Sequence, residues 1–160
     1  MRFIANQIPR AGTRTTLTYK FVPTFSAGLE WNPRAGKVSP LANWLAVQET
    51  ERRPAFIFGT SSDRIGTPSG QSFYATASKG LKRETGLPIA PYLGLAYGTY
   101  EDRLRPVGGV NVAFTERWSA MLIFDGVHLH EMLSYARGRH TFSAILVRGH
   151  DPGVSYSVAF

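Results

Sequence analysis

Residues 15–31 read TTLTYKFVPTFSAGLEW and contain two segments with the same rhythm. In each segment the larger apolar side chains fall on alternate positions, namely Leu17, Tyr19 and Phe21, then Phe25, Leu29 and Trp31. Alternation with a period of two is typical of a β-strand that has one apolar face and one polar or small face. Pro23 and Thr24 between the segments predict a tight connection. The stretch therefore predicts a β-hairpin.

The same rhythm continues to the end of the chain and predicts an all-β protein. Apolar residues alternate with small or polar ones over residues 72–78, 93–98, 109–114, 118–125, 142–146 and 154–160. We count roughly ten strands in all. Polar loops or turns are predicted at 32–38, 60–70, 80–88, 100–106, 115–117, 125–131 and 138–139. Within one strand, Gly108 and Gly109 predict a bulge or a small inward-facing site.

One segment departs from this rhythm. Ser39 followed by Pro40 is a good helix start, because Ser caps helix N-termini and Pro fits the first helical turn. Helical spacing then continues at Leu41, Trp44, Leu45 and Gln48. Residues 40–51 therefore predict either a short helix or a further strand.

Composition excludes several classes of protein. The chain has 160 residues, of which 18 are Lys or Arg and 11 are Asp or Glu, so the net charge is +7. With 10 Phe, 7 Tyr and 3 Trp it is too aromatic for a disordered chain, and its 16 Gly and 10 Pro argue against a helical bundle. The absence of cysteine excludes disulfide scaffolds, Cys-based zinc sites and thiol catalysis. No apolar run approaches the roughly 18 residues of a membrane-spanning helix.

The two faces of the predicted strands favour a barrel. One face is wide and aromatic, whereas the other carries Ser, Thr, Gly, Ala and Asn with an occasional Lys or Glu. A membrane barrel has this pattern, with apolar residues toward lipid and polar residues toward the lumen. Small inward residues also allow a narrow barrel to close. An antiparallel sheet with one packed and one solvated face gives the same alternation, so that interpretation stays open at this point.

The last eight residues, GVSYSVAF at 153–160, favour the membrane interpretation. They resemble the final strand of Gram-negative outer-membrane β-barrel proteins, which ends in Phe and has aromatic or aliphatic residues at alternate positions before it. Here Val154, Tyr156, Val158 and Phe160 occupy those positions. The resemblance implies an antiparallel up-and-down transmembrane β-barrel of about 8 to 12 strands, sealed by pairing of the last strand with the first. It also implies a location in the bacterial outer membrane, contact with outer-membrane lipid and lipopolysaccharide, and recognition by the barrel-assembly machinery.

Domain organisation follows from the same patterns. There is no repeat of fixed length, no low-complexity tract and no linker. We expect a single β-barrel domain over residues 1–160, or the C-terminal part of a larger barrel. The first residues, MRFIANQIPRAG at 1–12, lack the apolar core and cleavage site of a secretory leader.

Four histidines lie in the C-terminal part of the chain, at His128, His130, His140 and His150. On a strand His128 and His130 would share one face, and either could activate Ser134 while Asp125 or Glu131 orients the imidazole. A metal site on the two imidazoles is a second option. The simpler interpretation is a set of polar residues in an exposed loop. We adopt it, and expect no catalytic group, no metal and no cofactor.

The basic residues are dispersed and fall mostly in predicted loops and at strand ends. Cations at those positions can meet lipid phosphates and the anionic sugars of an outer leaflet. The residues that we expect to make these contacts are Arg52, Arg53, Arg103, Arg105, Arg137, Arg139 and Arg148. Any that point inward would give the lumen a preference for anions. Solvated turn charges are the alternative.

The sequence thus favours a non-enzymatic outer-membrane barrel that acts as a small pore, an envelope scaffold or an export accessory. Two alternatives from other classes stay open. One is a barrel enzyme that modifies lipid or glycolipid with Ser134 and the His128 and His130 pair. The other is a soluble basic β-domain that binds anionic polymers. Because the aromatic residues interleave with aliphatic ones and not with Lys and Arg, we expect no nucleic-acid partner. The oligomeric state stays open.

Overall fold

A computed structural model describes residues 1–5, 10 and 12–160, and within them the chain forms a closed antiparallel β-barrel of twelve strands. Each strand pairs with its sequence neighbours. The strands are β1 (Arg2–Ile4), β2 (Thr13–Val22), β3 (Phe25–Asn32), β4 (Lys37–Val47), β5 (Ala55–Ser62), β6 (Gln71–Ser78), β7 (Ile89–Gly98), β8 (Arg103–Ala113), β9 (Trp118–Phe124), β10 (Leu129–Arg137), β11 (His140–Val147) and β12 (Asp151–Val158). The predicted all-β up-and-down barrel is confirmed, with a strand number at the upper limit of the expected range.

Pairing between β12 and β1 closes the barrel. Phe3 lies opposite Val154 in the register of the two strands. Next to this pair, the amino group of Met1 donates a 2.6 Å hydrogen bond to the carbonyl oxygen of Tyr156. Because every strand then has a neighbour on each side, the sheet has no first or last strand. The expected sealing of the last strand against the first is confirmed.

Side chains alternate between the outside of the barrel and its lumen, with a polarity opposite to that of a soluble sandwich. Leu17 and Leu93 point outward, and each is 69% exposed. Glu30 and His130 point inward and are 1% and 4% exposed. In the described part of the chain, the buried apolar residues are Ile4, Leu41, Ala55 and Val147. The apolar faces predicted from alternation therefore lie outside, and the polar faces line the lumen.

Residues 37–47 form β4, so of the two predicted alternatives for residues 40–51 the strand is confirmed and the helix is wrong. The period of two prevails, with Pro40 and Trp44 opposite Leu29 and Phe25 on the outer face of β3. A helix here would break the pairing that β4 makes with both β3 and β5. Pro40 is tolerated because β5 pairs with β4 only from Ala42 onward, so residue 40 has no strand partner on that side, where its carbonyl oxygen accepts a hydrogen bond from the Gln71 side chain.

Strands also extend into several predicted loops. β5 reaches Ser62, β8 begins at Arg103 and β10 begins at Leu129. The inward residues of these strand ends are polar because the lumen is polar, so apolar alternation alone does not reveal them. The predicted loop 80–88 contains a one-turn helix, α1 (Lys82–Thr85). Among the described residues, no helix is long and apolar enough to cross a membrane.

The two glycines of β8 confirm one of two predicted alternatives. Gly109 faces Tyr92 in the lumen, and a Cβ at this position would lie 2.9 Å from the Tyr92 hydroxyl oxygen. The register runs without a shift through Gly108 and Gly109 on both sides of the strand, so there is no bulge. Gly109 is therefore the predicted small inward-facing site.

The two ends of the barrel carry different connections. One, the terminal end, holds Met1, Phe160 and the connections 23–24, 48–54, 79–88, 114–117 and 138–139. The other, the loop end, holds the connections 33–36, 63–70, 99–102, 125–128 and 148–150. The predicted tight connection at Pro23 and Thr24 and the predicted turns at 115–117 and 138–139 are confirmed.

Gly94 lies where β6 and β7 pack closely against each other in the barrel wall. It points into the lumen from β7, opposite Thr76, and a Cβ there would lie 2.0 Å from the carbonyl oxygen of Ala75. We expect Gly94→Ala to lower the free energy of unfolding, measured by urea titration in detergent, by about 1–3 kcal/mol, as overpacking does. The control is Gly138→Asn, at a turn with a φ of 59° that Asn tolerates and with no atom within 4 Å of the added Cβ. Equal losses in the two variants would contradict the close packing of β6 and β7.

Candidate functional site: the polar lumen

The connection 63–70 folds into the lumen instead of projecting from the loop end. Ile65 packs against Ile4 and Val147, which are both fully buried and both point inward. Thr67, two residues further, is also almost fully buried. Residues 63–70 therefore fill part of the barrel, and we call them the plug loop.

Arg10 anchors the plug loop through its main chain. Its guanidinium donates hydrogen bonds to the carbonyl oxygens of Arg64 and Gly70, each at 3.1 Å, and to that of Asp63. It also donates to the hydroxyl of Thr67 at 3.0 Å. Burial holds the pKa of Arg10 below its usual value, although the carboxylates of Glu30 and Asp63 oppose this effect. One buried cation thus holds four oxygens of the loop.

Asp63 fixes the start of the plug loop to the 99–102 connection. Its Oδ1 accepts the backbone N–H of Arg64 at 2.8 Å, and its Oδ2 accepts that of Tyr100 at 3.0 Å. Glycines make room for this carboxylate, since a Cβ on Gly98 would lie 2.5 Å from Oδ1 and one on Gly70 would lie 2.7 Å from Oδ2. Gly70 also has a φ of +101°, which other residues rarely adopt.

Glu101 joins two arginines beside the plug loop. Its carboxylate accepts hydrogen bonds from Arg64 Nε at 3.2 Å and from Arg105 Nη2 at 2.9 Å. The hydrogen bond from Arg64 is the main reason that the pKa of Glu101 falls to about 2, because it outweighs the opposing effect of burial. The same hydrogen bond raises the pKa of Arg64. The three side chains therefore form an ion-paired bridge between the plug loop and β8.

A second charged cluster lies on β1, β2 and β3. Arg14 Nη2 lies 2.5 Å from Glu30 Oε2. Glu30 Oε1 accepts hydrogen bonds from Asn32 at 2.8 Å and from Ser62 at 2.5 Å. Arg2 stands opposite Arg14 in the register of β1 and β2, and it also lines the lumen.

Two cavities adjoin the plug loop. The larger, of about 530 Å³, is lined by residues of β4 to β9 that include Tyr74, Tyr92 and Arg103. The smaller, of about 270 Å³, adjoins the charged cluster of β1 to β3. Asp63 and Arg64 belong to the walls of both cavities. The plug loop therefore divides the lumen.

The structure brings together two of the proposed catalytic residues, His130 and Asp125. His130 Nε2 lies 2.9 Å from Asp125 Oδ2, and His130 Nδ1 accepts the backbone N–H of Arg148 at 3.2 Å. Because Nδ1 accepts, the ring proton is on Nε2, which donates to Asp125. Burial raises the pKa of Asp125, but the hydrogen bonds from His130 and from two backbone N–H groups outweigh it and hold this pKa below its usual value. The pair ties the 125–128 connection to the 148–150 connection.

Ser134 is not part of this pair. Its hydroxyl shares a 2.8 Å hydrogen bond with the hydroxyl of Ser143 on β11. It lies four residues beyond His130, which is roughly 13 Å along a strand. The structure therefore does not bring the proposed nucleophile within reach of the proposed base. The expectation of an exposed loop is wrong for His130, which is buried on β10.

Glu131 and His128 do not complete a site either. Glu131 pairs in register with Leu122 and Leu146 on the outer face, so it points away from the inward imidazole of His130. His128 lies in the 125–128 connection, where burial lowers its pKa. Over residues 1–5, 10 and 12–160, no group of three or more His, Cys, Asp and Glu side chains could hold a metal ion.

The seven arginines expected at lipid headgroups divide by position. Exposed at the terminal end are Arg52, Arg53, Arg137 and Arg139. At the loop end Arg105 binds Glu101, and the guanidinium of Arg148 covers Gly66, where an added Cβ would lie 2.0 Å from it. Arg103 lines the larger cavity. Headgroup contact stays a prediction for the exposed four, while the positions of Arg103 and Arg105 fit the inward alternative.

The C-terminal signature lies on the outer face of β12. Val154, Tyr156 and Val158 point outward, and Phe160 follows the strand and is 96% exposed. The Tyr156 hydroxyl lies 2.7 Å from His140 Nδ1 on β11. Recognition of this strand by the barrel-assembly machinery stays a prediction.

Sequence analysis missed the residues that hold the plug loop. Arg10, Asp63 and Glu101 lie in connections, and no periodicity signals that a connection folds inward. Arg14 and Glu30 are different, because local alternation does place them. Glu30 is a polar position of the second alternating segment, and alternation extended by one position before Thr15 would have placed Arg14 inside the barrel as well.

The closed sheet and the divided polar lumen define a β-barrel protein with an internal plug. No family model, curated protein or solved structure matches the chain. The lumen geometry is therefore the basis of the function proposed below.

The Arg64–Glu101 pair predicts that acid loosens the plug loop. The folded pKa of Glu101 is about 2 and the ordinary value is 4.5, so the pair stabilises the fold fully above pH 4.5 and this contribution is lost as the pH falls toward 2. We expect hydrogen–deuterium exchange of residues 63–70, corrected for intrinsic rates, to accelerate in that window. In Glu101→Gln the exchange should already be faster at neutral pH and should rise less in acid. The same acid response in both proteins would contradict this role of Glu101.

Proposed function

We propose that the chain is a transmembrane β-barrel of a bacterial outer membrane and that its lumen is a small, passively selective pore. The inverted polarity carries this proposal. Large apolar side chains such as Leu17, Tyr19 and Leu93 are exposed on the outer face, whereas charged groups are withdrawn into the lumen. Lipid would remove the outer side chains from water, at a gain of about 25 cal/mol per Å² of apolar surface.

The distribution of aromatic residues supports a membrane location. On the outer face near the terminal end, Trp118 packs against Tyr135 with ring centroids 4.9 Å apart, and Phe142 packs against Tyr156 at 5.1 Å. Aromatic rings are favoured at the boundary between acyl chains and headgroups. The exposed arginines of the same end would then lie at the level of lipid phosphates.

The divided lumen supports a narrow passage. Cavities of about 530 and 270 Å³ adjoin the plug loop, and their walls carry both signs of charge. Noncovalent contacts hold the plug loop in the lumen, namely hydrogen bonds, the Glu101 ion pairs and the packing of Ile65. The mechanism is passive, because the lipid-facing band anchors the barrel and the size and charge of the lumen decide which solutes enter.

Trp31, Trp44 and Trp118 test the membrane location, since all three are exposed on the outer face. In vesicles with brominated acyl chains we expect the fluorescence of the refolded protein to be strongly quenched relative to plain vesicles. The control is an inward tryptophan, Tyr92→Trp, in a background where the three native tryptophans are Phe, and its fluorescence should change little. A monomer that is soluble in plain buffer, with tryptophans that brominated lipid does not quench, would contradict the membrane location.

Arg10→Gln tests the plug loop as the barrier in the pore. The substitution removes the buried cation that holds four oxygens of the loop. We expect a higher single-channel conductance in planar bilayers than for the wild type. Arg117→Gln, in an exposed turn of the terminal end, changes the net charge equally and should conduct as the wild type does. Unchanged conductance in Arg10→Gln would count against the plug, and absence of conductance in all three proteins would count against a pore.

A further inference from the structure

Two arginines occupy directly opposed positions on neighbouring strands and both face the lumen. Arg2 on β1 lies opposite Arg14 on β2, and both line the cavity of about 270 Å³. Like charges at opposed positions destabilise a strand pair. An anion between the two guanidinium groups would remove this repulsion.

The chain supplies too little negative charge for this pair. Glu30 Oε2 forms an ion pair with Arg14 but has no hydrogen-bond partner among the described residues, and Glu30 Oε1 already accepts hydrogen bonds from Asn32 and Ser62. Arg10, the third guanidinium at this cavity, donates to carbonyl and hydroxyl oxygens, which carry no net charge. Among Arg2, Arg10 and Arg14, only Arg14 therefore has a direct ion pair in the described part of the chain, with the carboxylate of Glu30.

Two other carboxylates of the cavity wall, those of Asp63 and Asp125, have different partners. Asp63 accepts the backbone N–H groups of Arg64 and Tyr100. Asp125 accepts hydrogen bonds from His130 and from two backbone N–H groups. Glu131 also borders this cavity, but its register places its side chain on the outer face, and its buried Oε2 has no hydrogen-bond partner among the described residues. In the described part of the chain, none of these three carboxylates forms an ion pair with Arg2.

Hydrogen-bond donors of the arginine pair are left without acceptors. The Nε atoms of Arg2 and Arg14 are both buried, and neither has a hydrogen-bond partner among the described residues. A buried donor without an acceptor destabilises a fold, most of all when it is charged. The missing chemical group is thus an acceptor that carries negative charge.

We propose that this cavity binds a small oxyanion, a carboxylate or a phosphate group, whose oxygens accept hydrogen bonds from Arg2 and Arg14. The planar guanidinium presents paired N–H donors that match the oxygens of such groups. A volume of about 270 Å³ restricts the ligand to a small one, since drug-sized ligands occupy roughly 300–1,000 Å³. A role of this oxyanion as the transported solute rests on the proposed function. Binding of the oxyanion to the site does not, and it can be measured without transport.

Calorimetric titration of the full chain, refolded in detergent, tests the site. Inorganic phosphate and succinate are titrated separately, with chloride at equal ionic strength as the control anion. We expect saturable binding of at least one oxyanion at one site, and binding that is about ten-fold weaker or worse in Arg2→Gln, as expected for one lost charge-assisted contact. Arg2→Lys keeps the charge without the paired donors and should lie between the two. Arg117→Gln should bind as the wild type does.

A second measurement keeps the test valid if Arg2→Gln does not refold. Phosphate or succinate should raise the urea midpoint of the wild type above its value in sodium chloride of equal ionic strength, because a ligand of the folded state stabilises it. The rise should be smaller in Arg2→Lys, which separates site binding from the general stabilising effect of phosphate on folded proteins. The ligand that binds more tightly identifies the oxyanion as phosphate or carboxylate.

The outcomes separate this inference from the proposed pore. Absence of saturable binding and of the midpoint shift, or binding that Arg2→Gln does not weaken, overturns the oxyanion site even if the barrel conducts. Binding that depends on Arg2 in a protein that does not conduct supports the site and overturns the pore.

Discussion

Backbone hydrogen bonds that run round the twelve strands and return from β12 to β1 are the constraint on which the other features depend. In a closed sheet each strand has one face toward the lumen and one toward the surroundings, so alternation along the chain becomes a separation between inside and outside. Polar residues had to be placed on one face and apolar residues on the other. This chain places Glu30 and His130 inside and Leu17 and Leu93 outside.

Charges inside such a barrel need partners, and these partners give the lumen its structure. Glu101 between Arg64 and Arg105 connects a loop to the wall, and Asp125 with His130 connects two loops to each other. A buried charge without its partner costs several kcal/mol, about as much as a large part of the stability of a small domain. The plug loop therefore stays inside, because leaving would separate Arg64 from Glu101 as well as expose Ile65.

The sequence was sufficient for the fold because alternation is local and the apolar positions are strong. Leu93, Leu95 and Tyr97 against Gly94 and Gly98 fix which way β7 faces without reference to any other strand. Residues 40–51 were harder, since Trp44 and Leu45 satisfy a helical spacing locally and only the demand of β3 and β5 for a shared neighbour selects a strand. The position of the plug loop could not be predicted from the sequence, for a different reason. Its position depends on contacts between residues as far apart as Arg10 and Gly70 or Arg64 and Glu101, and no local pattern encodes them.

Arg10 holds the plug loop mainly by carbonyl oxygens, and Thr67 alone contributes a side chain to that anchor. Carbonyl oxygens are the same whatever amino acid carries them. Exposed or half-buried positions of the loop such as Pro68 and Ser69 are thus open to replacement without loss of the clamp. The position of the plug loop is thus independent of most of its side chains, so a few substitutions could change the chemistry of the lumen while the barrel and the Arg10 anchor stay unchanged.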